Sequence, residues 1–400
     1  MALATWALFA GLSLLLGAAG VFTTLIGVRA ELDGFTNSQI GLVTAGYYAG
    51  FIVGSRLAST AIARVGHIRV YAALAAILTA AIVTSGMLTG PWWWLGLRFV
   101  AGACLAGQYV GAESWLNQLT TNDTRGRLLS IYLVVSIVAF GIGQVGFGLL
   151  DPEALTGFGI AAVLASLAVV PVALSVDAAP PPLAKRRHVD LREMWRTVPT
   201  GMVTSVLVGV THGAFIGLGA VFATRAGLSP AMVGVFVAMP TVGNVLFSVP
   251  VGSASDRIDR RLVGIGAALV AATAALVLVQ VAPGSAAGLV AMVVIGGSTY
   301  PLYSIAGAYT TDKIPPEQMN AVAGQLVLLY GVGAMIGPVI GSAAMAASTD
   351  GYLWTTVLAH VAIAAFLMVR VAQHPDRHKR TQAVPLDGTT GELPVTAGRR

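Results

Sequence analysis

Residues 141–146, Gly-Ile-Gly-Gln-Val-Gly, have the GxGxxG spacing that cradles a dinucleotide pyrophosphate where a strand turns into a helix. Elsewhere a few reactive side chains stand inside long apolar runs: Arg98 in GLRFVAG, His212 in GVTHGAF, and Tyr300 and Tyr303 around Pro301. A charge placed among apolar residues is costly, which makes such a residue a functional candidate. At 100° per residue on a helix, Gly102, Tyr109 and Glu113 fall within about 60° of Arg98 and form one polar stripe with it. Arg98 suits an anionic substrate group or proton coupling through neighbouring acids; an arginine held by backbone carbonyls is the structural alternative. His212 suits proton uptake near neutral pH, or else a hydrogen-bonded packing role. Tyr300 and Tyr303 suit stacking on a ligand or plain aromatic packing. Gln144, Asn244 and Gln325 suit helix–helix hydrogen bonds or substrate contact. The sequence contains no HExxH, no paired CxxC and no GxxxxGK[ST]. Zinc hydrolysis, dithiol chemistry and P-loop ATP hydrolysis are therefore excluded, no catalytic constellation is left, and no cofactor or metal is expected.

The elements that position these residues follow from composition. Of 400 residues, 56% are hydrophobic and only 10% charged, with mean hydropathy +0.80. A soluble chain carries about 25% charged residues, so the solvent of this one is lipid. Twelve apolar windows of about membrane-spanning length recur, at 4–28, 39–60, 69–89, 92–114, 127–149, 156–176, 200–222, 231–251, 262–282, 286–309, 321–346 and 352–371. They lack period-2 alternation, so they read as helices rather than barrel strands. The first window has no basic flank, which makes it a span rather than a cleaved signal peptide. The single cysteine, Cys104, reads as a small buried hydrophobe.

An even number of spans puts both termini on one side. Twenty of the 23 Lys and Arg residues fall on that side; Arg29 and Arg225 fall on the other, and Arg98 lies within a span. The basic side is therefore cytoplasmic. The net charge of +6 is an orientation signal, and no nucleic-acid partner is expected. Trp92, Trp93 and Trp94 at the outer end of span four, Trp6 and Trp115 at cytoplasmic ends, and Trp354 opening the last span fit an interfacial aromatic belt. The one long polar break, 177–199, holds a proline run and a basic cluster. Leu191, Met194, Trp195 and Val198 then follow i, i+3, i+4, i+7 spacing behind a capping box of Asp190 and Glu193. That pattern gives a short helix on the membrane surface, with a solvated linker as the alternative.

The break separates an N-terminal six-helix bundle (1–176) from a C-terminal one (200–371), with a disordered cytoplasmic tail at 372–400. A shift of about 190 residues sets Thr120-Thr121 on Thr310-Thr311, and Gly141 and Gly143 on Gly331 and Gly333. Glycines inside spans let helices approach closely. Gly141, Gly143, Gly333, Gly337 and Gly341, with Pro338, are accordingly expected to pack helices. The GxGxxG follows no strand and opens no helix, which removes the nucleotide reading.

Gly252-Ser253-Ala254-Ser255-Asp256-Arg257-Ile258-Asp259-Arg260-Arg261 resembles the loop motif Gly-x-x-x-Asp-Arg-x-Gly-Arg-Arg of the major facilitator superfamily, with Asp259 in place of the second glycine. The first-half counterpart keeps Arg64, Gly66 and Arg69 but has Ala63 where the family has Asp. Arg98 and Gly102 resemble the family's intramembrane arginine motif. Gly333, Gly337-Pro338 and Gly341 resemble its antiporter-type Gly-Pro motif, in span eleven rather than span five. The segment GAESWLNQLTTNDTRGRLLSIY is similar to the YcaD-like branch. The resemblance covers residues 1–372. It implies an all-α membrane protein with twelve transmembrane helices in two pseudo-symmetric six-helix bundles. It further implies a monomeric secondary transporter in the cytoplasmic membrane, moving a small organic molecule by proton-coupled alternating access. Arg98, Tyr109, His212, Tyr300 and Tyr303 would line the cavity. Arg64, Glu113, Asp256, Arg257, Arg260 and Arg261 would form a cytoplasmic gate that exchanges partners as the halves rock; topology charge alone is the alternative. A facilitative uniporter and a non-transporting sensor on the same fold are the competing functions.

Overall fold

The computed structural model describes residues 2–119, 122–175 and 190–373. The described chain is helical: α1 (Ala2–Leu32), α2 (Asn37–Val65), α3 (His67–Met87), α4 (Pro91–Leu119), α5 (Asn122–Phe147), α6 (Thr156–Leu167), α7 (Val169–Ala173), α8 (Leu191–Thr197), α9 (Pro199–Arg225), α10 (Pro230–Arg257), α11 (Arg260–Gln280), α12 (Ala286–Thr311), α13 (Met319–Ala347) and α14 (Gly351–Gln373). Ten segments are long and apolar enough to cross a membrane, with α6 and α7 counted together. The other two expected spans, α2 and α4, are 29 residues each. They fall short in apolarity because they carry Tyr47, Tyr48, Arg56, Arg98, Gln108 and Glu113. The expected linker residues 177–189, the tail beyond Gln373 and Thr120-Thr121 lie outside the described residues.

Local chemistry sets the breaks between helices. Thr36 caps α2 reciprocally with Gln39, each side chain bonding the other's backbone N–H. Ser229 and Ser285 cap α10 and α12. Gly66 alone joins α2 to α3, at φ +89°, a conformation an L side chain adopts only under strain. The sixth expected span is interrupted after Leu167; Pro171 has no N–H, and its ring meets the Leu167 carbonyl four residues back. Asp190 caps α8 through the Arg192 N–H at 3.0 Å, and among the described residues no reciprocal Glu193 bond completes the expected box. Met194 and Val198 turn inward onto Met202, Val322 and Leu326, while Leu191 and Trp195 face outward.

The expected tryptophan belt divides. Trp92 and Trp93 are exposed, as are Trp6 and Trp354. Trp94 is buried, and its Nε1–H donates to the Ser85 and Leu88 carbonyls at 3.0 and 2.8 Å. These carbonyls close α3, so Trp94 caps that helix. Trp115 is also buried, stacked on His67 with centroids 6.2 Å apart.

The internal repeat is visible as duplicated close approaches. A Cβ added to Gly143 would meet Gly17 O at 2.1 Å, and one added to Gly333 would meet Val206 O at 2.0 Å. A Cβ on Gly20 would lie 2.2 Å from Phe140 O, and one on Gly209 2.2 Å from Tyr330 O. Thus α1 packs on α5 as α9 packs on α13. Gly141 faces Thr241 across the two halves (3.1 Å from its Cγ2), and Gly331 faces Ile52 in the same way (2.9 Å from its Cγ1). Along α2, Gly46, Gly50 and Gly54 admit the backbone of Leu95, Phe99 and Ala103 on α4; Gly243 on α10 admits Val293 on α12.

The halves are pinned at the end that holds the N-termini of α2 and α10. There Gly27 faces Ala220 and Val221, Gly41 faces Pro338 and Ser342, and Gly148 faces Ala231. Near the opposite end, two small apolar clusters each stay within one half: Ala58, Ile62 and Val70 in the first, and Met194, Met202 and Val322 with the second.

Candidate functional site

α4 and α2 together build one wall of the seam between the halves. Arg98, the eighth residue of α4, is only 3% exposed. Its Cζ sits 4.5 Å above the Tyr47 ring and 5.4 Å from that of Phe22. Such cation–π contacts contribute about 1–2 kcal/mol when desolvated. Nε and Nη1 of Arg98 have no hydrogen-bond partner among the described residues. The residue borders a small cavity of about 10 Å³, room for one water, together with Thr23, Gly27, Val43, Thr44 and Gly217, so the cavity lies where both halves meet. Below Tyr47 the wall continues through Phe51 to Tyr109, in steps of 6.2 Å between centroids. Gly102, on the stripe expected to be polar, packs against the Tyr47 backbone.

α9, α12 and α13 build the facing wall. The His212 ring meets Tyr300 edge-on at 4.5 Å and Tyr330 at 5.6 Å. Its Nδ1 is hydrogen-bonded to the Tyr330 hydroxyl, while Nε2 has no partner among the described residues. Tyr303 lies tilted beside Tyr330, with ring centroids 5.0 Å apart. The walls meet beside Arg98, where a Cβ added to Gly217 on α9 would lie 2.2 Å from Thr44 Cγ2 on α2. Arg98, Tyr109, His212, Tyr300 and Tyr303 are thereby brought to one seam. Tyr47, Tyr48 and Tyr330 belong with them and were missed, because a tyrosine in an apolar run carries no signal of which way its helix is turned. Gln144 lines a second cavity with Phe140, Thr241 and Tyr300. Asn244 accepts from Ser248 on its own helix.

The expected gate residues do not form one cluster in this state. Arg260 reaches Asp256 at 2.9 Å and Asp312 at 2.7 Å, tying α10, α11 and α12 together. Asp256 and Asp312 are mostly exposed, so each pair contributes at most about 1 kcal/mol. Arg261 is buried, pairs with Asp259 at 2.7 Å and donates to the Arg370 carbonyl on α14. Asp259, the departure from the family motif, also caps α11 through the Arg261 N–H. All these bonds stay within the second half. Arg257 and Arg64 are exposed, and Glu113 accepts from the Tyr132 hydroxyl at 3.2 Å.

Among the described residues an ion pair crosses between the halves at the pinned end: Arg225 of α9 meets Glu31 of α1 at 2.7 Å. Beside it Arg29 pairs with Asp33 and bonds the carbonyls of Pro152 and Glu153. The signal for this latch was present, since Arg29 and Arg225 are the two basic residues that stand against the charge bias.

An internally repeated, multi-helix membrane protein with a polar site at the seam of its halves is the class these features define. The sequence profile of the Major Facilitator Superfamily matches residues 1–338 and again 201–396, and the chain belongs to that family. An uncharacterised MFS-type transporter of Enterobacter sp. (strain 638) is 28% identical over 92% of this chain and 96% of its own length. The uncharacterised MFS-type transporter YcaD of Escherichia coli O17:K52:H18 is 28% identical over 92% and 95%. Among solved structures, the nucleoside transporter NupG superposes with a TM-score of 0.74 at 12% identity, over 92% of this chain and 98% of that one. A bacterial Spinster homologue in an inward-facing conformation gives 0.69 at 17%, over 92% and 96%. The D-xylose–proton symporter gives 0.68 at 16%, over 91% and 96%.

Proposed function

We propose that this chain is a proton-coupled secondary transporter that moves a small organic molecule across the cytoplasmic membrane by alternating access. Both termini and the Asp256 end face the cytoplasm on this reading, because twenty of the 23 basic residues belong there. The pinned Glu31 end is then the outer one. The division into bundles 1–176 and 200–371, joined by 177–199, supplies the two bodies that rock, and the protein acts as a monomer.

The carrying observation is that Arg98 and His212, one from each half, keep unpartnered nitrogens at the same seam. Neither group is fully satisfied among the described residues, and a ligand or proton between the halves would supply the missing partner. Arg98 would hold the substrate; His212, wired to Tyr330, would take and release the proton. Breaking Glu31–Arg225 and closing Arg64, Glu113 and the Asp256–Arg261 cluster against one another would expose the site to the other side. The same MFS transporter family in its relatives, and the named transport functions of its structural neighbours, support this reading over a sensor.

The test is uptake into proteoliposomes under an imposed pH gradient, across a panel of metabolites and drug-like compounds. Uptake should follow the gradient, and Arg98→Ala and His212→Ala should each abolish gradient-driven accumulation. Transport indifferent to the gradient removes the proton coupling and leaves a uniporter. Intact accumulation in both variants removes the site assignment.

A further inference from the structure

The seam also restricts the chemistry of its occupant, an inference that rests on the transport reading above. We propose that the seam binds a planar aromatic monoanion, its carboxylate on Arg98 and its ring between the tyrosine walls.

Charge comes first. Arg98 is a buried guanidinium with no carboxylate paired to it among the described residues. Buried charges are ordinarily paired, and an unpaired one is stabilised by any anion that reaches it. The nearest acid along its helix, Glu113, is fifteen residues away, about 22 Å at 1.5 Å per residue. A cationic ligand would meet Arg98 itself. A dianion would leave one of its charges uncompensated in a low-dielectric seam. One cation therefore selects one negative charge.

Shape follows from how that cation is held. With Cζ 4.5 Å over the Tyr47 ring, the guanidinium keeps Nε and Nη1 without a partner among the described residues, and a carboxylate is the group that matches the donors of an arginine fork. The walls beyond are rings: Tyr47 and Tyr109 on one side, Tyr300, Tyr303 and Tyr330 on the other. Such surfaces favour a flat π-system by stacking and edge contacts. The unpartnered His212 Nε2 and the Tyr48 hydroxyl leave room for one polar substituent on the ring.

The experiment is isothermal titration of the purified full chain in detergent with 4-hydroxybenzoate, its neutral methyl ester and the dianion terephthalate. The monoanion should bind about 30-fold or more tightly than either analogue, the ratio typical of a desolvated charge pair. Arg98→Gln should erase the preference over the ester, while Arg98→Lys keeps part of it; matching melting curves show that both variants fold. An ester bound as tightly as the acid, a preference unchanged in Arg98→Gln, or no binding by any of the three overturns the proposal. Counterflow of neutral solutes in proteoliposomes separates the two readings. Exchange of such solutes without 4-hydroxybenzoate binding sinks the substrate class and leaves transport standing. Arg98-dependent binding without exchange of any solute does the reverse.

Discussion

Gly333→Ala tests whether the repeated glycines are what lets α13 seat against α9. The added Cβ would sit 2.0 Å from Val206 O, against about 3.4 Å for ordinary contact, so the two helices must part by about 1.4 Å there. The obstacle is backbone, which cannot rotate away as a side chain can. The same interface holds Gly209, Gly213 and Gly337, each within 2.2 Å of an opposing carbonyl by the same measure, so the separation loosens four approaches together. Overpacking of this kind costs about 1–3 kcal/mol, partly offset by the roughly 0.5–1 kcal/mol that alanine gains over glycine in a helix. Gly143→Ala should cost a similar amount, because its Cβ meets Gly17 O at 2.1 Å at the equivalent place in the first half. Gly146, the third glycine of the same GxGxxG, has nothing among the described residues within 4 Å of an added Cβ. Gly146→Ala should be neutral or slightly stabilising. The measurement is the apparent melting temperature in detergent, followed by tryptophan fluorescence. Gly143→Ala and Gly333→Ala should each fall by about 2 °C or more, and Gly146→Ala should not fall. The reasoning is refuted if Gly333→Ala melts at or above the parent, or if Gly146→Ala loses as much as Gly143→Ala.

Three further outcomes follow from the same geometry. Arg225→Gln or Glu31→Gln should weaken closure of the pinned end, read as faster labelling of a cysteine introduced at Ile40; the charge-swapped double variant should restore slow labelling, and equal labelling in all four proteins would show that the pair is not a latch. Asp259→Gly restores the family's residue yet should destabilise by about 1–2 kcal/mol, since it removes the α11 cap and a carboxylate paired with buried Arg261; a higher melting temperature would contradict this. Trp94→Phe keeps the ring but leaves the Ser85 and Leu88 carbonyls without their indole donor, a loss of about 1–3 kcal/mol, whereas Trp92→Phe should be silent; equal melting of the two variants would rule out the capping role.

Sequence and tertiary structure divide the protein between them along a physical line. Lipid solvent, helix limits, the charge bias and the repeat can be read along the chain, because apolar run length, punctuation and periodicity are local properties. Arg98 and His212 were legible as candidates for the same reason: a charge or an imidazole in an apolar run is conspicuous wherever it points. Tyr47, Tyr48 and Tyr330 were not, because their rings suit lipid, core and cavity alike, and only helix rotation decides among these. Rotation also decided that Trp94 is a buried cap beside two exposed tryptophans, and that Gly143 meets a carbonyl while Gly146 meets nothing. The Glu31–Arg225 latch, between residues 194 positions apart, and the joining of Arg98 and His212 at one seam depend on how distant helices pack. No local pattern encodes that packing; it is fixed only when the repeated glycines bring the backbones together.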